Sequence, residues 1–191
     1  MKKKIVVCIS LIMACMLVGC GGSNNGDSEG KNSQQESGMN ETQDKNDENI
    51  ELKGYVFQGA DAQGTGKVNI VIDAKADKIL KDLGKANFVF ESPSCAFGDL
   101  DIIYTYNGFE VDTYSMDGVE YISAVVLLDD TVETPEGVCI GDELAKVKEA
   151  YGEPTKSDDR FLEYRKDHMK LSFIIQDGNV VSIEYLTTIL E

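Results

Sequence analysis

The sequence contains a partial copy of itself. Ile70-Val71-Ile72-Asp73 lies over Val138-Cys139-Ile140-Gly141 at an offset of 68. The register continues without a gap: Ile79 falls on Val147, Leu83 on Tyr151 and Gly84 on Gly152. Each copy reads as a short apolar strand, a polar helix start, a helix and a terminating glycine. In the second copy Asp142 is placed to cap the helix by accepting from its free amides. Leu144, Val147 and Tyr151 then share one helix face, Gly152 supplies a left-handed stop, and Pro154 blocks continuation. The first copy offers Asp73 as cap, Ala76, Ile79, Leu80 and Leu83 as the buried stripe, and Gly84 as stop.

A run of strands is expected after each helix. In the second copy Phe161 to Lys166 precedes a turn at Asp167-His168. Met169, Leu171, Phe173 and Ile175 then alternate with Lys170, Ser172, Ile174 and Gln176, and Asp177-Gly178 is a strong hairpin signal before Val181, Ile183 and Tyr185. The first copy has Ile102, Tyr104 and Tyr106, turns at Asn107-Gly108 and Asp117-Gly118, and a last strand from Val119 to Leu128. From Asp117 to Asp177 the offset is 60, so the first copy carries about eight extra residues, most simply in "FESPSCAFGDLD". An insertion between elements belongs in a surface loop, and loops often carry binding residues. Glu91, Ser92, Pro93, Ser94 and Phe97 are the candidates there.

The expected fold class is α+β. Two tandem helix-plus-antiparallel-meander repeats, about 66–130 and 134–191, make up a duplicated domain over 51–191. Neither repeat buries its sheet face well alone, which favours packing them together. "IGDELAKVKEAYGEP" resembles the helix of small outer-membrane-assembly accessory lipoproteins, and the duplicated arrangement is similar to that of β-lactamase inhibitor proteins. Both resemblances imply a protein-binding sheet rather than a catalytic cleft. The chain also has a general likeness to small lipoproteins of Gram-positive bacteria.

The amino terminus addresses location. Lys2, Lys3 and Lys4 precede an apolar stretch from Ile5 to Val18, which is shorter than the ~20 residues a helix needs to cross a bilayer. That is the pattern of a secretion signal, here 1–19. Leu17-Val18-Gly19-Cys20 resembles the lipobox of bacterial lipoproteins. The resemblance implies cleavage before Cys20 and a diacylglycerol on its sulfur, which anchors the chain to the extracytoplasmic face of the cell membrane. Residues 20–50 then form a lipidated cysteine and a tether. In 21–50, Met39 and Ile50 are the only large apolar side chains, so the tether is expected to be disordered. As a flexible chain it spans roughly 30 Å.

Charge excludes some partners. Of the net −16, the signal contributes +3 and residues 21–50 contribute −5, from seven acids and two lysines, which leaves −14 for residues 51–191. Nucleic acid binding demands clustered Lys and Arg and is not expected. Close adsorption to anionic lipid is disfavoured too.

Catalytic signals are sparse. Beyond Cys8, Cys15 and Cys20 the cysteines are Cys95 and Cys139. A disulfide between them would close a loop of about 45 residues and stabilise the fold by roughly 4 kcal/mol on the chain-entropy model; the competing reading makes Cys139 a buried core thiol. His168 is the only histidine and sits in a turn, and a Cys-His nucleophile pair would need it beside Cys95 or Cys139. No G-x-S-x-G or C-x-x-C occurs. Structural zinc wants four Cys or His ligands, so no metal, cofactor or catalytic residue is assigned. Asp129, Asp130, Glu133, Glu136 and Asp142 crowd one connection. They lack EF-hand spacing, and a solvated acidic connector competes with cation binding. Tyr104 and Tyr106 read as core rather than as a sugar platform.

The leading expectation is a non-enzymatic, membrane-anchored module that binds a protein or envelope component. The alternatives are an inhibitor of a secreted or envelope enzyme, and a cation- or solute-binding lipoprotein.

Overall fold

The computed structural model describes residues 53–94, 99–189 and 191. The signal, Cys20, the tether, Cys95 and Phe97 lie outside the described residues. The chain opens with a hairpin of β1 (Val56–Ala60) and β2 (Lys67–Val71). Helix α1 (Ala76–Leu83) leads into β3 (Phe88–Pro93), β4 (Leu100–Thr105), β5 (Phe109–Met116) and β6 (Val119–Leu127). Helix α2 (Leu144–Tyr151) leads into β7 (Lys156–Asp158), β8 (Phe161–Lys166), β9 (Met169–Gln176) and β10 (Asn179–Thr187). The hairpin is a sheet of its own. The other strands form one antiparallel sheet in the order β3-β4-β5-β6-β10-β9-β8-β7. The fold is mixed α and β, with antiparallel sheet dominant, as the class expected from sequence.

Turn chemistry sets the meanders. Asp117-Gly118 and Asp177-Gly178 each place two successive residues at positive φ, between 52° and 84°. That backbone suits the twist of a two-residue hairpin, and Asp and Gly tolerate it. Phe109↔Leu127 and Val111↔Val125 pair on one side of the first hairpin, and Ile183↔Phe173 and Tyr185↔Leu171 on one side of the second. All eight are buried. Alternation therefore turns one face of the large sheet into core.

Both helices and the hairpin pack on that face. Ala76, Ile79 and Leu83 from α1, Val147 from α2, and Phe57 and Ile70 from the hairpin join the same cluster as the sheet residues. Replacing a buried side chain such as Leu83 by Ala costs about 2–5 kcal/mol in such a setting. Gly84 and Gly152 end the helices at φ 81° and 74°, as expected.

The helix starts differ from expectation. The N-cap positions are Lys75 and Glu143, and neither makes a side-chain cap bond. Asp73 lies two residues earlier at φ 65°. The Asp142 carboxylate accepts instead from Cys139 N at 2.7 Å and Lys146 Nζ at 2.8 Å. Main-chain bonds to a strand fix each start. Asp73 N donates to Ile122 O and Ile122 N to Ala74 O; Gly141 N donates to Val180 O and Val180 N to Asp142 O.

Two further differences have local causes. Val138–Gly141 makes no strand, only a bridge from Cys139 to Glu133, whereas β2 has β1 as a full partner. Glu91, Ser92 and Pro93 belong to β3 rather than to a loop, because each pairs with a β4 residue. Ser94 follows them and is buried.

Candidate binding surface

The second face of the large sheet projects the complementary set of side chains. Register places Phe88 and Phe90 on β3, Ile103 and Thr105 on β4, and Glu110, Asp112 and Tyr114 on β5. Ala124 and Val126 on β6 meet Leu186 and Glu184 on β10. Ser172 and Lys170 on β9 follow, then Glu163 and Arg165 on β8. Because the helices and hairpin contribute to the core on the other side, no described helix or strand covers this face.

Its electrostatics are uneven. The basic side chains of the β8–β9 half are engaged. Arg165 holds Glu163 at 2.5 Å and Glu191 at 2.9 Å, while Lys170 Nζ lies 2.6 Å from Glu191. These two cations hold the Glu191 carboxyl down at about 2. At the centre, Asp112 Oδ1 is buried and accepts no hydrogen bond. Burial, then the charges of Glu110 and Glu184, push the Asp112 carboxyl up to about 6. A concavity of about 330 Å³ opens there, lined by Asp112, Ser123, Ala124, Lys170, Leu186, Thr187 and Glu191. The face thus holds a carboxylate with one unmet oxygen, in a lining where Ala124 and Leu186 are mixed with polar and charged side chains.

Two other concavities are less convergent. A groove of about 500 Å³ runs between β2 and α1, where Lys78 and Asp82 pair with each other at 2.7 Å. A cleft of about 390 Å³ is lined by Lys53, Asp73, Asp167 and His168. His168 is exposed in its turn, as read from sequence, and among the described residues no cysteine lines its cleft.

Cys139 is a free thiol, and the bridge proposed from it to Cys95 falls outside the described residues. Burial, then Asp142 beside it, push the thiol up and favour the protonated form. The connection from 129 to 142 uses its acids separately. Asp129 accepts from Thr131, Glu136 from the Tyr151 hydroxyl, and Asp142 from Cys139 and Lys146. Among the described residues no group of three or more His, Cys, Asp and Glu side chains is placed to hold a metal ion. Tyr106 is buried and stacks on Phe109 at 5.1 Å between centroids, and Tyr104 donates to Glu120 at 3.0 Å from the core-side face.

Asp112 was not singled out from sequence, although "FEVDTYSM" carried a signal. Alternation there puts Glu110, Asp112 and Tyr114 together, opposite Phe109 and Val111. Ala124 faces Asp112 across the local hairpin, but Leu186 reaches the same concavity from the distant β10, which no local pattern reveals.

The architecture is an α+β domain with one face of its large sheet left uncovered by any described helix or strand. No family model matches the chain, and no curated protein and no solved structure matches it either. Among the described residues no helix is long and apolar enough to cross a membrane.

Proposed function

We propose that this chain is a non-enzymatic lipoprotein, anchored through Cys20 on the extracytoplasmic side of the cell membrane. Its duplicated domain binds an envelope protein through the open sheet face. The observation that carries the binding reading is Asp112: a carboxylate whose Oδ1 is buried without a hydrogen bond, centred on an uncovered sheet face. Leaving such a group unsatisfied costs free energy, and a partner's Lys or Arg flanked by apolar residues would recover it.

Several correspondences support duplication. α1 and α2 differ by 68 residues at both ends, while β5 and β6 differ from β9 and β10 by 60. The main-chain clamps ahead of the helices use equivalent residues, Asp73 and Ala74 against Gly141 and Asp142. The seam between β6 and β10 is symmetric under the 60-residue shift. Val125↔Tyr185 maps onto itself, and Val126↔Glu184 maps onto Leu186↔Ala124. A two-fold relation through Val125 and Tyr185 accounts for all of these. The exposed His168 and the protonated Cys139 support the non-enzymatic reading. The lipobox-like Leu17-Val18-Gly19-Cys20 supports the anchor.

The test is differential capture from envelope extract. Wild type is compared with Val126→Gln/Leu186→Gln on the open face and with Lys148→Gln on the exposed side of α2. One protein retained by wild type and the α2 variant, and lost by the open-face variant at equal helix and strand content, is the expected result. Retention by all three, or no specific partner for any, counts against the proposal.

A further inference from the structure

The large sheet has two outer edges, and they are built differently. β7 is three exposed residues with charges at Lys156 and Asp158, and Lys156 also approaches Glu163 at 3.7 Å. A short charged strand blunts an edge against further pairing. β3 is six residues long and pairs only with β4. Phe88, Val89 and Phe90 on it are 60%, 44% and 50% exposed, and Glu91 is its one charge. Since side chains alternate, Phe88 and Phe90 stand on the open face and Val89 on the other. Among the described residues, no helix or strand covers either side of this edge.

The main chain at this edge is ready to pair. Ser94 N donates to Asp99 O at 2.6 Å, beyond the Pro93↔Leu100 pair. By antiparallel alternation the even-numbered residues direct their amides and carbonyls to β4, and Val89 and Glu91 direct theirs outward. Pro93, which has no amide to offer, sits at the far end and leaves the Val89 region intact.

We propose that a second copy of this chain occupies the edge. Two β3 strands pair antiparallel about a two-fold axis at Val89 and join two large sheets into one continuous sheet. The sequence of the strand selects this occupant. With Val89 facing its own counterpart, each Phe88 faces a Phe90 on the open side, and this aromatic pair forms twice. Glu91 then faces Asn87, whose amide already donates to Thr105 O at 2.8 Å, so the outward ladder is centred on Val89 and the lone charge of the strand does not meet itself. A two-fold centre at Glu91 would oppose two carboxylates, and one at Phe90 would set Val89 against Glu91. The contact is self-complementary and closes at two copies. It is independent of Asp112 and of any envelope partner, although it doubles the open face. Each copy carries like net charge, so added salt tightens the association by screening the repulsion.

The experiment uses the full chain in detergent. Sedimentation gives its mass at low and high salt, and Val89→Cys is oxidised beside Val181→Cys, an exposed control on β10. Residues facing each other in a hydrogen-bonded antiparallel pair lie about 5.5 Å apart at Cα, within reach of a disulfide. The expected results are a dimer strengthened by salt, and cross-linking at 89 that far outpaces 181. Phe88→Lys and Phe90→Lys should each return the chain to monomer at unchanged helix and strand content, with a melting temperature that no longer rises with protein concentration. A monomer at every salt concentration overturns the proposal. So does equal cross-linking at 89 and 181, or a dimer untouched by Phe90→Lys in a folded protein.

Discussion

Phe57 of β1 and Phe109 of β5 meet edge to face, with ring centroids 5.2 Å apart. Phe109 also stacks on Tyr106, and Phe57 lies 5.7 Å from Tyr185. The separate hairpin is thereby fastened to both halves of the large sheet, since Tyr106 and Phe109 come from the first meander and Tyr185 from the second. Docking at this point needs close approach. A Cβ added at Gly59 would lie 2.6 Å from Phe109 Cζ and 3.2 Å from Ile70 Cδ1.

Gly59→Ala therefore tests how tightly the hairpin is seated. The added methyl has to displace a fully buried ring, and overpacking of this kind costs about 1–3 kcal/mol. Urea unfolding should show a lower midpoint at an unchanged slope. Gly64→Ala sits at φ 67° with nothing within 4 Å of its Cβ. Its penalty is confined to backbone strain of about 1 kcal/mol. A Gly59→Ala midpoint at or above that of Gly64→Ala would mean the hairpin rides loosely on Phe109.

Thiol chemistry checks the environment of Cys139. Burial and the neighbouring Asp142 both raise its pKa, so the reactive thiolate is scarcer than in an unstructured cysteine. Alkylation of the native chain, followed by peptide mass, should label Cys139 slowly, and denaturant should accelerate it. Asp142→Asn removes a nearby negative charge and a hydrogen-bond acceptor, so it should speed native labelling at constant pH. Fast labelling in the native wild type would contradict the raised pKa of this half-buried thiol.

The hairpins and helices were legible in the sequence because their signals are local. Asp117-Gly118 and Asp177-Gly178 demand left-handed backbone, Gly84 and Gly152 stop helices at positive φ, and the buried stripe of α1 repeats at helical spacing. β1 was not legible. Its "VFQGA" has two adjacent apolar residues and a glycine, with no clean alternation. The hairpin depends on Asp61, whose carboxylate accepts from Gln63 N, Thr65 N and Thr65 Oγ1, and on the distant Phe109. The helix caps were misread because Asp73 and Asp142 look like caps locally, while the strand bonds at Ile122 and Val180 that fix the helix starts are long-range. The open face was half legible. Alternation assigns Asp112 to it, but only the full strand order reveals that nothing described covers it.

The anchor prediction is direct. If Cys20 carries two acyl chains, as proposed, the full chain should sediment with membranes and resist salt extraction. Cys20→Ala removes the only acylation position in the lipobox-like motif and should move the protein to the soluble fraction. Firm attachment of Cys20→Ala, measured by fractionation with high-salt and carbonate washes, would refute lipid anchoring through this residue.

The Asp112 carboxyl gives the open face a pH signature. Its folded pKa is raised to about 6 by burial and by Glu110 and Glu184, against an unfolded value of about 3.9. Between these two values the folded state binds the proton more tightly than the unfolded state does, so stability falls as pH rises through that window. Partial solvation reduces the effect, which leaves about 2 kcal/mol or less. Lys170 does not relieve it, because Glu191 holds its ammonium at 2.6 Å. Asp112→Asn keeps the shape and loses the charge, so it should stabilise the free protein at ~pH 8 and match wild type at ~pH 4. The same variant should bind the proposed envelope partner more weakly, because a basic side chain would no longer find its counter-charge. Stability and affinity therefore move in opposite directions at one position. Equal melting temperatures for the two proteins at every pH would show that Asp112 is solvated, and unchanged partner binding would show that the contact lies elsewhere on the sheet.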